Sequence, residues 1–286
     1  MNARSTLLIA HLSDSHLRDD ADLRAFEHQL DRIVTRAPDH LVLSGDLLDR
    51  WQPALLESAL DALAARELLV PGRTTIIHGN HDLASSGGHP RSRSDIARLV
   101  LRAWDLPPVI AARRRRFYGA IERRAPGVAG PPPFVKDLGA FFLAALDSVP
   151  VPWFPLAVRG GRVQGRHGAG RILDRDLAWL SALPRLPGVL VLHHYPLAVA
   201  PFRWRNGPFE VSMEIPADER AALWTALHAA GVRLVLCGHV HRARLDWHEG
   251  IAVGLQGQSG AAWAGRPIGW YRIDAASASM EMESTA

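Results

Sequence analysis

Five short polar motifs stand directly after apolar runs, and each contains residues able to bind a metal ion. They are DSH at 14–16, GDLLD at 45–49, GNHD at 79–82, HHYP at 193–196 and GHVH at 238–241. Alternate side chains of an extended segment point to the same side, so the Asp and His of DSH can offer two ligands to one site, as can the two histidines of GHVH. Imidazole with carboxylate suits Zn, Mn or Fe, and the absence of cysteine from the motifs excludes a thiolate zinc finger.

The number of these side chains favours two metal ions over one. Any single motif has an ordinary explanation, because GD and GN are common turn formers and an isolated DxH carries little information. The joint set overfills the coordination sphere of a single first-row ion. Two ions about 3.5 to 4 Å apart that share a carboxylate would use the whole set and leave room for water. The sequence therefore predicts a dinuclear metal site.

The apolar pattern up to Asn80 predicts a βαβαβ unit. Apolar strands begin near Ser5, His40 and Arg73, and the segments between them carry apolar residues at helical spacing, one with Pro53 in its first turn. Later apolar strands lead into HHYP and GHVH. Strands covered on both faces by helices form a parallel sheet, and the carboxyl ends of parallel strands meet at one edge. We therefore expect all five motifs to converge.

Length and composition indicate one catalytic domain. The 286 residues, 48% apolar and 22% charged, are typical of a soluble globular protein, and we place the domain at residues 1–274. Residues 85–133 are rich in Gly, Pro, Ser and Arg and predict a cap or lid insertion with a short helix at about Asp95–Trp104. Residues 275–286 are predicted to be a flexible tail.

Composition also limits location and partners. No apolar run approaches the roughly 18 to 20 residues that cross a bilayer, so a cytoplasmic protein without a transmembrane segment is expected. The formal net charge is only +4, and the run Arg113–Arg116 is short, which favours a solvated loop over a nucleic-acid or lipid contact. Polymeric nucleic acid is disfavoured as a partner because no long basic surface is evident. The single cysteine, Cys237, is expected to be a buried apolar residue.

In order and context, the five motifs resemble the signature series of the calcineurin-like metallophosphoesterases, over residues 7 to about 273. The segment LDS at 146–148, followed by GRILDRDLAWLSAL and the histidine strand, is most similar to the bacterial branch that includes the cyclic-nucleotide phosphodiesterases. The resemblance implies an α/β fold in four layers, αββα, with two mixed β-sheets face to face and helices outside. It also implies a metal-dependent hydrolase.

The resemblance assigns the metal ligands residue by residue. The implied ligands are Asp14, His16 and His241 for one ion, Asp46 as the bridge, and Asn80, His194 and His239 for the other. His194 is preferred to His193 because the family places its ligand two residues before the proline, here Pro196. The ions are expected to be Mn, Fe or Zn, and the sequence does not choose between them.

The implied chemistry is hydrolysis. Two such ions would make a bridging hydroxide available near neutral pH, and this hydroxide would attack phosphorus in line. His81, adjacent to Asn80 but not counted as a ligand, is the candidate to protonate the leaving oxygen or to bind the phosphate. The family places the carboxylate of Asp49 so that it orients that imidazole. Asp82 is expected to make a supporting hydrogen bond.

Two residues are candidate substrate contacts. Arg50 resembles the phosphate-gripping arginine of the protein-phosphatase branch, although Trp51 stands where that branch has glycine. Trp204 lies in a segment with aromatic residues and arginines, a composition able to stack a base or accept an acyl chain. Core packing explains Trp204 equally well.

Three functions remain open from the sequence. The leading hypothesis is hydrolysis of a phosphodiester, with a cyclic nucleotide, another small diester or a lipid phosphate as substrate. A phosphomonoesterase, such as a protein phosphatase, is the first alternative. A catalytically inactive binding or scaffold member of the family is an alternative of another class, and the complete ligand set argues against it.

Overall fold

The structure is a computed structural model that describes residues 6–84, 107–149, 170–199, 214–257 and 268–274, together with short strands at 156–159, 162–165, 202–203, 210–211 and 278–282. The expected helix at Asp95–Trp104 and the candidate contact Trp204 lie outside the described residues.

The first sheet has five strands in the order β15-β14-β1-β2-β3. Its strands are β1 (Thr6–Leu12), β2 (His40–Leu43), β3 (Thr74–Ile76), β14 (Gly269–Asp274) and β15 (Ala278–Met282). The pairs β1·β2 and β2·β3 are parallel, whereas β14 is antiparallel to both β1 and β15. The predicted parallel core is therefore extended by an antiparallel edge.

The second sheet has six strands in the order β12-β13-β11-β8-β5-β4. Its strands are β4 (Phe134–Asp137), β5 (Phe142–Ala145), β8 (Gly188–Val191), β11 (Val232–Cys237), β12 (Arg244–His248) and β13 (Ile251–Leu255). The four central strands are parallel, and the edge strands β4 and β12 are antiparallel to their neighbours.

A small third sheet, which the sequence does not predict, has the order β6-β7-β10-β9. Its strands are β6 (Leu156–Arg159), β7 (Arg162–Gly165), β9 (Phe202–Arg203) and β10 (Glu210–Val211).

Five helices accompany the sheets in the described part of the chain. They are α1 (Asp20–Arg36), α2 (Pro53–Ala65), α3 (Pro107–Arg124), α4 (Asp174–Ser181) and α5 (Ala217–Ala230). Helix α1 begins where the Asp19 side chain accepts hydrogen bonds from two free backbone N–H groups, and it ends at Ala37 in the left-handed conformation. None of the helices in this part of the chain is long and apolar enough to cross a membrane.

Alternating residues in the central strands produce the four layers. In β1, Ile9 packs between the two large sheets, whereas Leu12 packs against the side that α1, α2 and α3 cover. In β8, Val191 packs between the sheets and Leu190 packs towards α4 and α5. Because strand side chains alternate between faces, each central strand contributes to two apolar clusters. The predicted αββα sandwich is confirmed.

Two expectations about the irregular segments do not hold. The run Arg113–Arg116 lies inside α3 and not in a loop, and Arg113 and Arg114 are half-buried. The apolar pattern does not predict this helix because four arginines interrupt it between Ile110 and Phe117, both of which are buried. The expected flexible tail contains β15, which pairs with β14.

Candidate metal centre

The motif loops meet at the carboxyl ends of the central strands, where backbone hydrogen bonds join neighbouring loops. The N–H of Asp14 donates to the carbonyl of Gly45 (3.0 Å), and the N–H of His16 donates to the carbonyl of Asp46 (2.9 Å). In the second sheet, Gly238 donates to the carbonyl of His193 (3.0 Å). The five motifs converge, as the sequence predicts.

The backbone of the motif loops is strained. Eight non-glycine residues in the described part of the chain have positive φ, and five of them belong to the motifs: Asp14 (54°), His16 (45°), Asp46 (51°), His239 (72°) and His241 (55°). Each such residue costs on the order of 1 to 3 kcal/mol, and this strain persists only where surrounding structure enforces it. Clustered strain of this kind indicates a functional site.

The first group of candidate ligands joins DSH to GHVH. Nε2 of His16 lies 3.1 Å from Nε2 of His241. Oδ1 of Asp14 lies 3.3 Å from the same His241 nitrogen and 3.8 Å from that of His16. Both carboxylate oxygens of Asp14 also accept the backbone N–H of His239, at 3.0 and 2.9 Å, which fixes the orientation of the carboxylate.

The carboxylate of Asp46 lies between two groups of ligands. Its Oδ1 accepts the backbone N–H of His81 (2.7 Å). Its Oδ2 lies 3.7 Å from Nε2 of His16 and 3.3 Å from Nε2 of His193. This Oδ2 is buried without a hydrogen-bond partner among the described residues. A carboxylate oxygen placed in this way fits the predicted bridge between two ions.

The second group consists of Asn80, His193 and His239. Nδ1 of His193 is 3.0 Å from the carbonyl of Ser44, and because a carbonyl only accepts, Nδ1 must carry the proton. Nε2 of His193 is then directed at Oδ1 of Asn80, 2.8 Å away. Nε2 of His239 is buried with no hydrogen-bond partner in the described part of the chain.

The structure bears on the choice between the two adjacent histidines, of which the resemblance assigned His194. His193, not His194, lies against Asp46 and Asn80. His194 instead makes two contacts with Oγ of Ser148, from its backbone N–H (3.1 Å) and from Nδ1 (2.9 Å). The rings of both histidines lie beside that of His239, with centroids 5.2 Å (His193) and 4.4 Å (His194) away, so the contacts with Asp46 and Asn80 are what favour His193 as the ligand.

The donor set fits transition-metal ions. In a singly protonated His193, the lone pair of Nε2 is directed at two oxygens that also carry lone pairs. The facing Nε2 atoms of His16 and His241 bring two lone pairs together in the same way. Either a proton or a cation must lie between such groups. An ion bound at about 2.1 Å would separate its ligands by about 3.0 to 3.4 Å, close to the spacings above.

The pKa values indicate that the site attracts positive charge. Burial would lower the pKa of His193, but Asp46 and Asp14 outweigh burial and raise it to about 9. Burial would raise the pKa of Asp14, but His16 and His241 hold it well below its ordinary value. The arrangement therefore favours positive charge at the centre, as a site for cations requires.

Two motif glycines make the close packing of the centre possible. A Cβ at Gly79 would lie 2.2 Å from Oδ1 and 2.5 Å from the backbone nitrogen of Asp46. A Cβ at Gly238 would lie 1.9 Å from Oγ of Ser13 and 2.2 Å from Oδ2 of Asp14. The glycines in GNHD and GHVH are needed because any side chain there would displace a candidate ligand.

His81 is held at the centre by a different group than expected. Its ring meets that of His16 edge-on, with centroids 4.6 Å apart. Nδ1 of His81 lies 2.8 Å from the backbone carbonyl of Asp49, whereas the carboxylate of Asp49 lies 3.7 Å from Nδ1 of His16. The expectation that the Asp49 carboxylate orients His81 is therefore corrected, because the carbonyl of the same residue does so. Burial lowers the pKa of His81 to about 4.

The remaining candidates have simpler environments. Asp82 accepts the backbone N–H groups of Leu48 and Gly79, both at 2.8 Å, so its expected supporting role is confirmed. Arg50 is exposed beside Asp49, and its role as a substrate contact stays a prediction. Ser148, which the sequence did not single out, was detectable only through the LDS segment that contains it.

Comparisons with known proteins agree with this geometry. A family model described as calcineurin-like phosphoesterase matches residues 7–243. A Mycobacterium tuberculosis protein named cAMP/cGMP dual specificity phosphodiesterase is 24% identical over a 270-residue alignment that covers 88% of this chain and 67% of the relative. A Rhodococcus erythropolis protein named "Probable cyclic nucleotide phosphodiesterase" is 26% identical over a 265-residue alignment that covers 86% of this chain and 69% of the relative.

Among solved structures, a dimetal phosphatase from Danio rerio is similar with a TM-score of 0.58 and 11% identity, and the match covers 98% of this chain and 96% of that chain. At this identity the likeness supports the fold alone.

Proposed function

The chain belongs to the calcineurin-like phosphoesterase family and is a phosphoric ester hydrolase, and from this premise we propose that it hydrolyses phosphodiesters at a dinuclear metal centre. Cyclic nucleotides are the leading substrate class, because both relatives described above are named as phosphodiesterases of cyclic nucleotides. Other small diesters and lipid phosphates are the further candidates of the same class.

The observation that carries the proposal is Oδ2 of Asp46, buried without a hydrogen-bond partner in the described part of the chain and flanked by His16 and His193. We assign Asp14, His16 and His241 to one ion and Asn80, His193 and His239 to the other, with Asp46 shared. When bound, the two ions would neutralise charge on the phosphoryl oxygens and lower the pKa of a water molecule towards neutrality.

We assign His81 to the leaving group. Its Nδ1–H donates to the carbonyl of Asp49, which fixes the tautomer and leaves Nε2 available to the substrate. With a pKa near 4 the ring is neutral at pH 7 in the protein alone, so a hydrogen bond to the leaving oxygen requires the negative charge of the bound phosphate to favour the imidazolium.

A panel assay with Mn-loaded protein tests the proposal. The substrates are bis(nitrophenyl) phosphate, nitrophenyl phosphate, both classes of cyclic nucleotide and phospholipid head groups, with Asp46→Asn as the control for contaminating activity. Preferential diester cleavage is expected. Preferential monoester cleavage would identify the phosphomonoesterase alternative. Absence of turnover, with fewer than about one bound ion per chain, would contradict the two-metal mechanism and favour the inactive scaffold.

A further inference from the structure

Helix α3 makes three contacts with two loops at the metal centre. Nη1 of Arg113 donates to the carbonyl of Leu83 (2.7 Å), at the end of the turn that follows Asn80. Nη2 of Arg114 lies 2.6 Å from Oδ2 of Asp147. The hydroxyl of Tyr118, one helical turn after Arg114, lies 2.7 Å from Nδ1 of His78. One face of one helix therefore fixes both ends of the GNHD segment and the LDS segment.

Asp147 links this helix to the histidine loop. Its Oδ1 accepts the backbone N–H of Val149 (2.8 Å), which sets the turn that carries Ser148. Ser148 holds the backbone N–H and the ring of His194, the neighbour of the candidate ligand His193. A shift of the Asp147 turn would therefore be transmitted to the second group of ligands through two hydrogen bonds.

The charge of Arg114 is required at this place. Asp147 is only 3% exposed, and a buried carboxylate needs a charged partner or several donors. The side chain of Arg114 is 24% exposed and supplies that partner, while Nε2 of His78 lies 3.5 Å from Oδ1 of Asp147. Arg114 contacts residues that do not themselves belong to the proposed set of ligands.

We propose that Arg114 is a positioning residue for the metal centre: its ion pair with Asp147 docks α3 and holds the loops that carry Asn80 and His193. This inference rests on the proposed function for its kinetic consequence, but its effect on metal binding can be measured independently of turnover. It also gives a function to half of the arginine run. Arg113 and Arg114 face inwards, whereas Arg115 and Arg116 are exposed.

The exposed arginines supply matched controls. We would compare Arg114→Met with Arg115→Met and with the double variant Arg114→Met/Asp147→Asn. Manganese affinity is measured by calorimetry, and kcat and KM are measured on the best diester substrate. Thermal unfolding of the metal-free proteins measures folding. Loss of a group that supports metal ligands typically costs about 10- to 100-fold in metal affinity or activity, and we expect this for Arg114→Met.

Three further results are expected if Arg114 acts by position. KM should change by less than about threefold while kcat falls by 10- to 100-fold, because Arg114 does not face the substrate. Arg115→Met should stay within about twofold of the wild type in every measurement. The double variant should recover at least about threefold over Arg114→Met, because it no longer buries an unpaired carboxylate.

The outcomes separate this inference from the proposed function. A wild-type protein that binds Mn but cleaves no diester would refute the function, and the affinity comparison would still decide the role of Arg114. Equal Mn affinity and kcat in Arg114→Met and Arg115→Met would overturn the positioning role. So would a raised KM with unchanged kcat, which would place Arg114 on the substrate. If Arg114→Met does not fold, Arg114→Lys and the double variant carry the same comparison.

Discussion

The strand bodies and the strand ends hold two different kinds of buried histidine. In the bodies and at their margins, His11, His40 and His78 lie against hydroxyls, of Ser44 (2.8 Å), Thr75 (2.9 Å) and Tyr118 (2.7 Å) respectively. Nδ1 of His40 also lies 3.3 Å from the carbonyl of Gly72, and the carboxylate beside His78, that of Asp147, is already paired with Arg114. Burial lowers the pKa values of the three histidines to about 3, 3 and 4.

At the strand ends, two of the buried histidines meet carboxylates. There, burial also opposes protonation of His16 and His193, yet nearby aspartates raise the pKa of both rings. Burial still lowers the pKa values of their neighbours His81 and His239. The difference teaches that burial alone makes a histidine a neutral structural group, whereas burial beside unpaired carboxylates makes it part of a site for cations.

Asp46→Asn should have the largest effect on the histidines at the strand ends. It removes the charge shared by two groups of ligands, so we expect the variant to retain at most about one ion per chain after Mn reconstitution and to lose turnover. In the metal-free variant, the pKa of His193 should fall from about 9, because Asp46 is the main group that raises it. Metal analysis and NMR titration of the imidazoles measure the two effects.

Asp31→Asn is the control for that experiment, since Asp31 is exposed and pairs with Arg66 far from the centre. Two tightly bound ions in Asp46→Asn would contradict the bridging role of this carboxylate.

His81→Ala should separate turnover from metal binding. We expect both ions to be retained and kcat to fall by about 10²- to 10⁴-fold, the usual contribution of a positioned acid or base. His228→Ala, which changes an exposed histidine paired with Glu249, should leave both measurements unchanged. Metal loss in His81→Ala equal to that in Asp46→Asn would show that His81 is a ligand and would refute the leaving-group role.

Gly79→Ala tests whether the strand ends depend on close packing. Its φ is not in the left-handed region, so the effect would come from contact of the new methyl with the backbone and carboxylate of Asp46. We expect a loss of about 1 to 3 kcal/mol in the free energy of unfolding, together with weakened Mn binding. At the control position Gly72 a Cβ meets nothing within 4 Å, so Gly72→Ala should be close to neutral. Equal stability of the two variants in urea would contradict the packing account.

The sequence predicted the architecture and the motifs because both have local signals. Apolar period located the central strands, and each motif follows its strand directly. Three histidines that stand outside the five motifs, His11, His40 and His78, are buried against hydroxyls.

Features set by tertiary contacts were beyond the sequence. The contacts that favour His193 over His194 as the ligand come from Asp46 and Asn80, which are distant in sequence, and the carbonyl of Asp49 replaces its carboxylate because the loop approaches His81 with its backbone. Helix α3 was missed because Arg113 and Arg114 pair with groups distant in sequence, Leu83 and Asp147, which no local pattern reveals.

His40→Gln should have the smallest effect of these substitutions. It tests whether burial keeps a histidine of the strand bodies neutral. The pKa of His40 is lowered by burial to about 3, from an ordinary value of 6.5 in the unfolded chain. Its contribution to stability is therefore complete above pH 6.5 and is lost as the pH falls towards 3, because the unfolded chain then binds a proton that the folded protein does not. The loss is at most about 1.4 kcal/mol per pH unit, or about 2 kcal/mol between pH 6.5 and 5.

Urea unfolding at those two pH values measures this loss in the wild type and in His40→Gln, whose pH dependence should be smaller by up to about 2 kcal/mol. His228→Gln, at an exposed position, should keep the wild-type dependence. An unchanged slope in His40→Gln would mean that His40 titrates alike in both states. Burial would then not be what keeps this histidine neutral, and the contrast between strand bodies and strand ends would have to rest on the carboxylates alone.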